Sequence, residues 1–196
     1  MPTDLFDSFP LRKARVHEAC GPGATVFAAF CASGTAGQVM WIRPAWSTAT
    51  LNPVGLGVFF DPARLLITQV RTQTEGLAAM EEALRDGALP LVVSELTEPL
   101  DLTAGRRLQL AARYGDSTGI CLIPEGMGSN AAETRWRCAP VYGPGDPTLQ
   151  RWDLIKNKSG TDGAWHVRWD AAARRLRLVR RIVSATQRTT ALRLPC

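Results

Sequence analysis

Residues 15–33 read RVHEACGPGATVFAAFCAS, and this stretch decides the fold. The apolar segment at 15–19 predicts a short strand, and the glycines and proline at 20–25 predict a tight turn after it. Residues 26–33 are apolar all round, which is typical of a helix buried against a sheet. A strand, a glycine-rich turn and a buried helix therefore predict the first unit of a parallel α/β sheet.

The same rhythm continues outward from this stretch. Apolar strands are predicted at 38–42, 64–70, 89–96 and 118–124, a long loop at 44–60, and amphipathic helices at 74–87 and from an N-cap at Thr103 to Gly115. Continuous apolar strands between helices indicate βαβ units and a sheet covered on both faces. Four later segments alternate polar with apolar residues and predict antiparallel strands at one edge, at 135–141, 150–156, 165–170 and 175–180. We expect a lead-in at 1–14, one domain at 15–183 and a basic tail at 184–196.

Composition excludes several classes of protein. Of the 196 residues, 45% are hydrophobic and 21% charged, which is ordinary for a globular domain. No apolar run approaches the roughly 18 residues of a membrane span, and the N-terminus lacks an export pattern, so we expect a cytoplasmic protein with no membrane contact. Five scattered cysteines without a CxxC, and only two histidines, predict no metal site.

Charge is unevenly distributed along the chain. Residues 151–196 hold eleven lysines and arginines against three aspartates, although the whole chain has a net charge of only +5. Such an asymmetry indicates an acidic partner for the C-terminal part, either nucleic acid or an acidic protein. A basic edge that is merely solvated remains an equal alternative.

The glycine-rich turn occupies the place of a phosphate loop without having its chemistry. A working loop reads GxxxxGK[ST], and its lysine contacts the transferring phosphate. Here the turn is too short, and the chain has no lysine between Lys13 and Lys156. We therefore predict no catalytic residues, no cofactor and no ATP hydrolysis. Thr25 and Glu95 are the remaining candidates for residual nucleotide or metal affinity. For Glu95, a surface or capping role is favoured. The degenerate loop consists of Gly21, Pro22, Gly23, Ala24 and Thr25.

Several motifs resemble the ImuA family in order and spacing. Residues 15–22 (RVHEACGP) resemble the segment of RecA that leads into its phosphate loop. The segments at 61–66, 80–85, 101–112, 134–137 and 151–169 are similar to ImuA, so that the resemblance covers roughly residues 15–180. It implies a RecA-like three-layer α/β domain with a mainly parallel sheet, antiparallel C-terminal strands and a degenerate phosphate loop.

The resemblance also implies a function and partners. ImuA proteins act in SOS-induced translesion DNA synthesis beside ImuB, a polymerase-like protein without catalysis, and an error-prone C-family DNA polymerase. We therefore expect a noncatalytic adaptor, cytoplasmic and nucleoid-associated when DNA is damaged, with a RecA filament and single-stranded DNA as further candidate partners. Two alternatives stay open: an SOS cell-division inhibitor that binds a tubulin-like GTPase, and a DNA-stimulated ATPase with an atypical loop.

Two candidate surfaces follow from the same resemblance. The turn IKNK at 155–158 resembles a lysine-bearing hairpin that lies at the RecA subunit interface, although a plainly exposed basic turn fits equally well. Residues 126–130 stand where RecA-like proteins have a DNA-binding loop, while the tryptophans of the neighbouring strands are expected in the core. The predicted partner interface comprises Lys156, Lys158, Arg174, Arg175, Arg180 and Arg181. The predicted DNA contacts are Asn130, Arg135 and Arg137.

Overall fold

A single nine-stranded sheet runs through the protein. The computed structural model describes residues 4–143, 146–160 and 162–182, so the predicted basic tail at 184–196 lies outside the described residues. The strands are β1 Val16–Cys20, β2 Val39–Pro44, β3 Leu65–Val70, β4 Leu91–Glu95, β5 Thr118–Leu122, β6 Thr134–Pro140, β7 Gln150–Asn157, β8 Gly163–Asp170 and β9 Arg175–Ile182. The α-helices are α1 Ala24–Ser33, α2 Pro53–Gly57, α3 Gln73–Asp86 and α4 Leu102–Tyr114.

The strand order is β3-β2-β4-β5-β1-β6-β7-β8-β9. Neighbours from β3 to β6 are parallel, and those from β6 to β9 are antiparallel. The predicted mainly parallel sheet with antiparallel C-terminal strands is thus confirmed. One detail is corrected: β6, expected to be antiparallel, pairs parallel with β1 because the loop at 123–133 returns the chain to the end of the sheet where β1 begins.

Helices cover the two faces of the sheet unequally. One core cluster joins α1 and α2 to the sheet, and it contains residues from both the parallel and the antiparallel strands. The second cluster joins α3 and α4 to β1, β2, β4 and β5. None of its residues comes from β6 to β9, so within the described residues α3 and α4 cover only the parallel half of their face.

Local signals explain the helix ends. The Thr72 side chain accepts from the Glu75 amide at the start of α3, and Gly87 ends that helix in the left-handed conformation with φ of 76°. The cap of α4 is Asp101, whose carboxylate accepts from the Ala104 amide at 2.7 Å, and not the predicted Thr103. The predicted loop at 44–60 contains the short helix α2, which follows a cap at Asn52.

An aromatic core fills the first face beneath the antiparallel strands. Trp136, Trp152 and Trp165 are fully buried there, and Phe27 of α1 lies 4.8 Å from Trp152 between ring centroids. Alternation along these strands places most of their charged residues on the opposite face, with Arg181 of β9 as an exception opposite Trp165. The expectation that these tryptophans are core residues is therefore confirmed. None of the described helices is long and apolar enough to cross a membrane.

Candidate functional site

The turn between β1 and α1 is packed against the neighbouring strand β6. Gly21 has φ of 85°, and a side chain there would place its Cβ 2.6 Å from the Cys138 carbonyl oxygen. The Gly23 amide donates to that same carbonyl at 2.8 Å, and the Ala24 amide donates to Gly21 at 3.0 Å. Two amides of the turn are thus hydrogen-bonded within the protein, which leaves them unable to bind a phosphate as the amides of a phosphate loop do.

The two candidate residues for metal affinity have different surroundings. Thr25 is exposed at the edge of a groove of about 300 Å³ that is lined by apolar side chains. Glu95, at the end of β4, accepts from the indole of Trp41 at 3.0 Å and from Arg43 at 3.3 Å. The Glu95 carboxylate is therefore held by the sheet, and the described residues contain no cluster of three or more metal-ligating side chains.

A buried ion pair fixes the loop at 124–133, which contains the predicted DNA-binding segment at 126–130. Glu18 of β1 is fully buried, and one of its oxygens lies 2.7 Å from Nε of Arg135. Its other oxygen accepts from the Ser129 amide at 2.8 Å, while Arg135 donates back to the Ser129 carbonyl at 2.9 Å. Sequence reasoning missed Glu18, although an acid inside an apolar strand signals a buried charge that needs a partner.

The two hairpin lysines point back toward that same loop. Lys156 donates to the Ala132 carbonyl, and Lys158 donates to the Ala131 carbonyl at 2.8 Å. Partial burial, followed by the neighbouring charges of Lys158 and Arg135, lowers the pKa of Lys156 below its usual value. Lys158 keeps nearly half of its side chain exposed and lies 3.9 Å from Glu133. The lysines therefore brace the loop from one side, as Glu18 does from the other.

The four predicted interface arginines do not form one cluster. Arg174 and Arg175 are exposed at the start of β9, and Arg174 donates to a backbone carbonyl of the segment after α2. Arg180 donates to Nδ1 of His166 at 3.0 Å, on the face away from the tryptophans. Arg181 pairs with the buried Trp165 in the strand register and is half-buried. Together with the lysines they occupy four separate places, and their role in partner binding stays a prediction.

The predicted DNA contacts are likewise divided. Arg135 and Arg137 lie two residues apart on one face of β6, but the Arg135 guanidinium is bound to Glu18 and Ser129. Arg137 is half exposed and lies 3.5 Å from Asp153, and Asn130 is exposed in the loop. Only Asn130 and Arg137 are therefore open to a partner without rearrangement, and DNA contact stays a prediction for all three.

Comparison with known proteins identifies relatives of the chain. Protein ImuA from two strains of Caulobacter vibrioides is 33% identical to it over 147 residues. The chain is a homologue of ImuA. The match covers 66% of this chain and 59% of the ImuA relatives, so the chain spans less than two thirds of their length. The resemblance to the ImuA family that the sequence motifs indicate is thereby confirmed.

Other comparisons add little to the match with ImuA. No protein-family model matches the chain. The crystal structure of SulA from Pseudomonas aeruginosa is similar to this ImuA homologue with a TM-score of 0.47 and 26% identity, over 56% of this chain and 97% of SulA. A score of this size does not establish a shared fold.

Proposed function

We propose that this chain is a noncatalytic, RecA-like accessory protein of SOS-induced mutagenesis. The observation that carries the proposal is the homology to ImuA over 147 residues. An accessory role in damage-induced mutagenesis agrees with that homology. The more specific role is an adaptor in lesion bypass, which brings an ImuB-type protein and an error-prone C-family polymerase together near a RecA filament and single-stranded DNA.

The surroundings of the degenerate loop support a noncatalytic role. The amides of Gly23 and Ala24 are hydrogen-bonded within the fold, and Glu95 is bound to Trp41 and Arg43. Phosphoryl transfer needs backbone donors, a cation and an acid that are directed at the nucleotide. In this protein the corresponding groups stabilise the sheet instead, which fits a fold retained for contacts with partners.

The proposal is tested by recovering the tagged full chain from cells with damaged DNA. We expect lesion-bypass polymerase components to be recovered with it, and more of them after damage than before. Recovery of a tubulin-like GTPase without polymerase components would instead identify a division inhibitor. Phosphate release that single-stranded DNA stimulates would identify an ATPase.

A pair of variants shows whether the hairpin takes part in this assembly. Lys158→Ala removes the more exposed lysine of the hairpin, together with its contact to the Ala131 carbonyl, and leaves Lys156 in place. Arg71→Ala is the matched control, because Arg71 is 87% exposed and its ion pair among the described residues is with Glu75, four residues along the chain. We expect Lys158→Ala to reduce the recovery of polymerase components at least fivefold, and Arg71→Ala to leave it unchanged. Equal recovery with both variants would contradict a role for the hairpin.

A further inference from the structure

The face of β6 to β9 opposite the tryptophans has no helix on it within the described residues. The aromatic core contains the side chains of Trp136, Trp152 and Trp165, and Leu176 and Leu178 of β9 pack against it. The residues between them therefore lie on the other side of the sheet. We call this side the open face. Its charged and titratable residues are Arg135, Arg137, Arg151, Asp153, Lys156, His166, Arg168, Asp170, Arg175, Arg177 and Arg180, of which Arg135 is bound to Glu18 and Lys156 to the Ala132 carbonyl.

The strand register arranges four of these arginines in one line. Arg137 is opposite Asp153, and Arg151 is the residue two before Asp153 on the same strand. Arg151 is opposite His166, so Arg168 is its diagonal neighbour.

The line continues on β9. Arg168 is opposite Arg177, so Arg175, two residues before Arg177, is its diagonal neighbour. Diagonal neighbours in an antiparallel sheet are about 7–8 Å apart, so this arginine diagonal is about 22 Å long and takes one residue from each of β6 to β9.

The guanidinium groups of the arginine diagonal remain accessible. The side chains of Arg137, Arg151 and Arg168 are 50%, 45% and 48% exposed. Asp153 lies 3.5 Å from Arg137 and 2.9 Å from Arg151, so one carboxylate orients two arginines. Arg175 has no ion-pair partner among the described residues.

Positive charge exceeds negative charge on the open face. Arg177 and Arg180 flank the diagonal, and the carboxylates on this side are Asp153 and Asp170 of β7 and β8, Asp146 at 3.9 Å from Arg168, and the buried Glu18 that binds Arg135. Glu18 neutralises Arg135, and the other six arginines with Lys156 stand against Asp146, Asp153 and Asp170, which leaves four positive charges in excess. Burial, then the charges of Arg180 and Arg151, lowers the pKa of His166, whereas Asp153 raises it. His166 accepts from Arg180 and is therefore neutral near pH 7.

We propose that the open face binds the phosphate backbone of a single-stranded nucleic acid along the arginine diagonal. Guanidinium groups bind phosphate oxygens in a bidentate manner, and a single line of them matches a single line of phosphates. Among the described residues of its strands this face carries no tryptophan, tyrosine or phenylalanine, because the tryptophans point to the other side, and its imidazole, His166, accepts from Arg180. The bases therefore gain no stacking partner here, and binding is independent of base sequence.

This inference does not depend on the proposed function. The site differs from the predicted DNA-binding loop at 126–130, since of the predicted DNA contacts only Arg137 lies on the arginine diagonal. A chain with different protein partners would keep the open face unchanged. A polymerase partner that is recovered without any binding of nucleic acid would likewise leave the proposed function in place and overturn this inference alone.

The test is a salt titration of binding by the full chain to a fluorescent 15-nucleotide oligothymidylate. With about four phosphates neutralised, log K should fall with log[salt] with a slope of about −3. Arg168→Gln combined with Arg175→Gln removes two of the four contacts, which should halve the slope and weaken binding at least about tenfold at 0.1 M salt.

The matched control removes the same charge elsewhere. Arg71→Gln combined with Arg113→Gln takes two exposed arginines from the edge of β3 and from α4, and affinity should change less than about twofold. Urea unfolding of both double variants checks that each is folded. A slope that is the same in both double variants would overturn the proposal.

Three further probes define the ligand. An abasic oligonucleotide and an RNA of the same length should bind within about threefold of oligothymidylate, because all three offer the same phosphates. Duplex DNA should bind more weakly, since each of its strands curves around the helix and a line of arginines about 22 Å long meets fewer phosphates of it than of a flexible single strand. The proposal is overturned if no oligonucleotide binds at 50 mM salt, if the abasic strand fails to bind, or if the duplex binds more tightly.

Discussion

Removing the Glu18 carboxylate should cost the protein much of its stability. The two Glu18 oxygens accept from the Arg135 guanidinium at 2.7 Å and from the Ser129 amide at 2.8 Å, with Glu18 fully buried and the Arg135 side chain 19% exposed. In Glu18→Ala the guanidinium keeps its place without a counter-charge, and the Ser129 amide loses its acceptor. Breaking a buried ion pair from one side costs about 3–5 kcal/mol, so we expect a loss of about 4 kcal/mol.

A double-mutant cycle separates the pair from its surroundings. Arg135→Ala leaves the Glu18 side chain, only 1% exposed, without its cation and should cost about as much as Glu18→Ala. The variant with both changes leaves no buried charge behind. Its cost should therefore fall short of the sum of the single costs by about 2 kcal/mol or more.

Urea unfolding followed by tryptophan fluorescence measures these costs, because the fully buried Trp136, Trp152 and Trp165 become exposed on unfolding. With a slope of about 2 kcal/mol per molar urea, a loss of about 4 kcal/mol lowers the midpoint by about 2 M. The control is Glu82→Ala, which removes a 76% exposed partner of Arg85 and should shift the midpoint by less than about 0.5 M. A Glu18→Ala midpoint close to the control, or an additive cycle, would refute the assigned role of the pair.

Three further substitutions test other parts of the structure. Burial lowers the pKa of His17 to about 4, so the fold holds this imidazole neutral. Acidification from about pH 6.5 to 4 should therefore lower the free energy of unfolding of the wild type by about 3 kcal/mol, and His17→Gln should not show this loss. Urea midpoints measured across this pH range test the difference. Gly23→Val should lower the urea midpoint by about 1 M, because a Cβ there would lie 2.7 Å from the Gln150 side chain, whereas the exposed Pro22→Ala should not. If Glu95 only supports the sheet, adding Mg²⁺ should leave the melting temperatures of the wild type and of Glu95→Ala unchanged. A melting temperature that rises with Mg²⁺ in the wild type alone would instead make Glu95 a metal ligand.

The elements of the fold were largely predictable because each has a strong local signal. The apolar runs that became β2 and β5 are long enough to exclude surface loops, and alternation identified β7 to β9. The direction of β6 has no such signal, since polar and apolar residues alternate alike in parallel and antiparallel strands. Helix α2 was missed because it is five residues long and contains two glycines, which favour loops.

The candidate site was less predictable because its contacts join distant parts of the chain. Glu18 and Arg135 are 117 residues apart, and nothing in either neighbourhood specifies the other. The direction of the Lys156 side chain depends on where the loop at 124–133 lies, which the spacing of the hairpin does not determine. The arginine diagonal depends on the register of four strands, and an irregularity beside His166 shifts that register by a residue.

The unequal covering of the sheet has a consequence for how this protein can change over evolutionary time. Within the part of the chain that the structure describes, the antiparallel strands pack helices and aromatic residues on one side only. A substitution of Trp152 therefore lowers the stability of the fold. Residues on the outward side, such as Arg168, contribute little to folding and are free to be exchanged. Selection can therefore retune what this surface recognises one residue at a time, without first having to repair the stability of the protein.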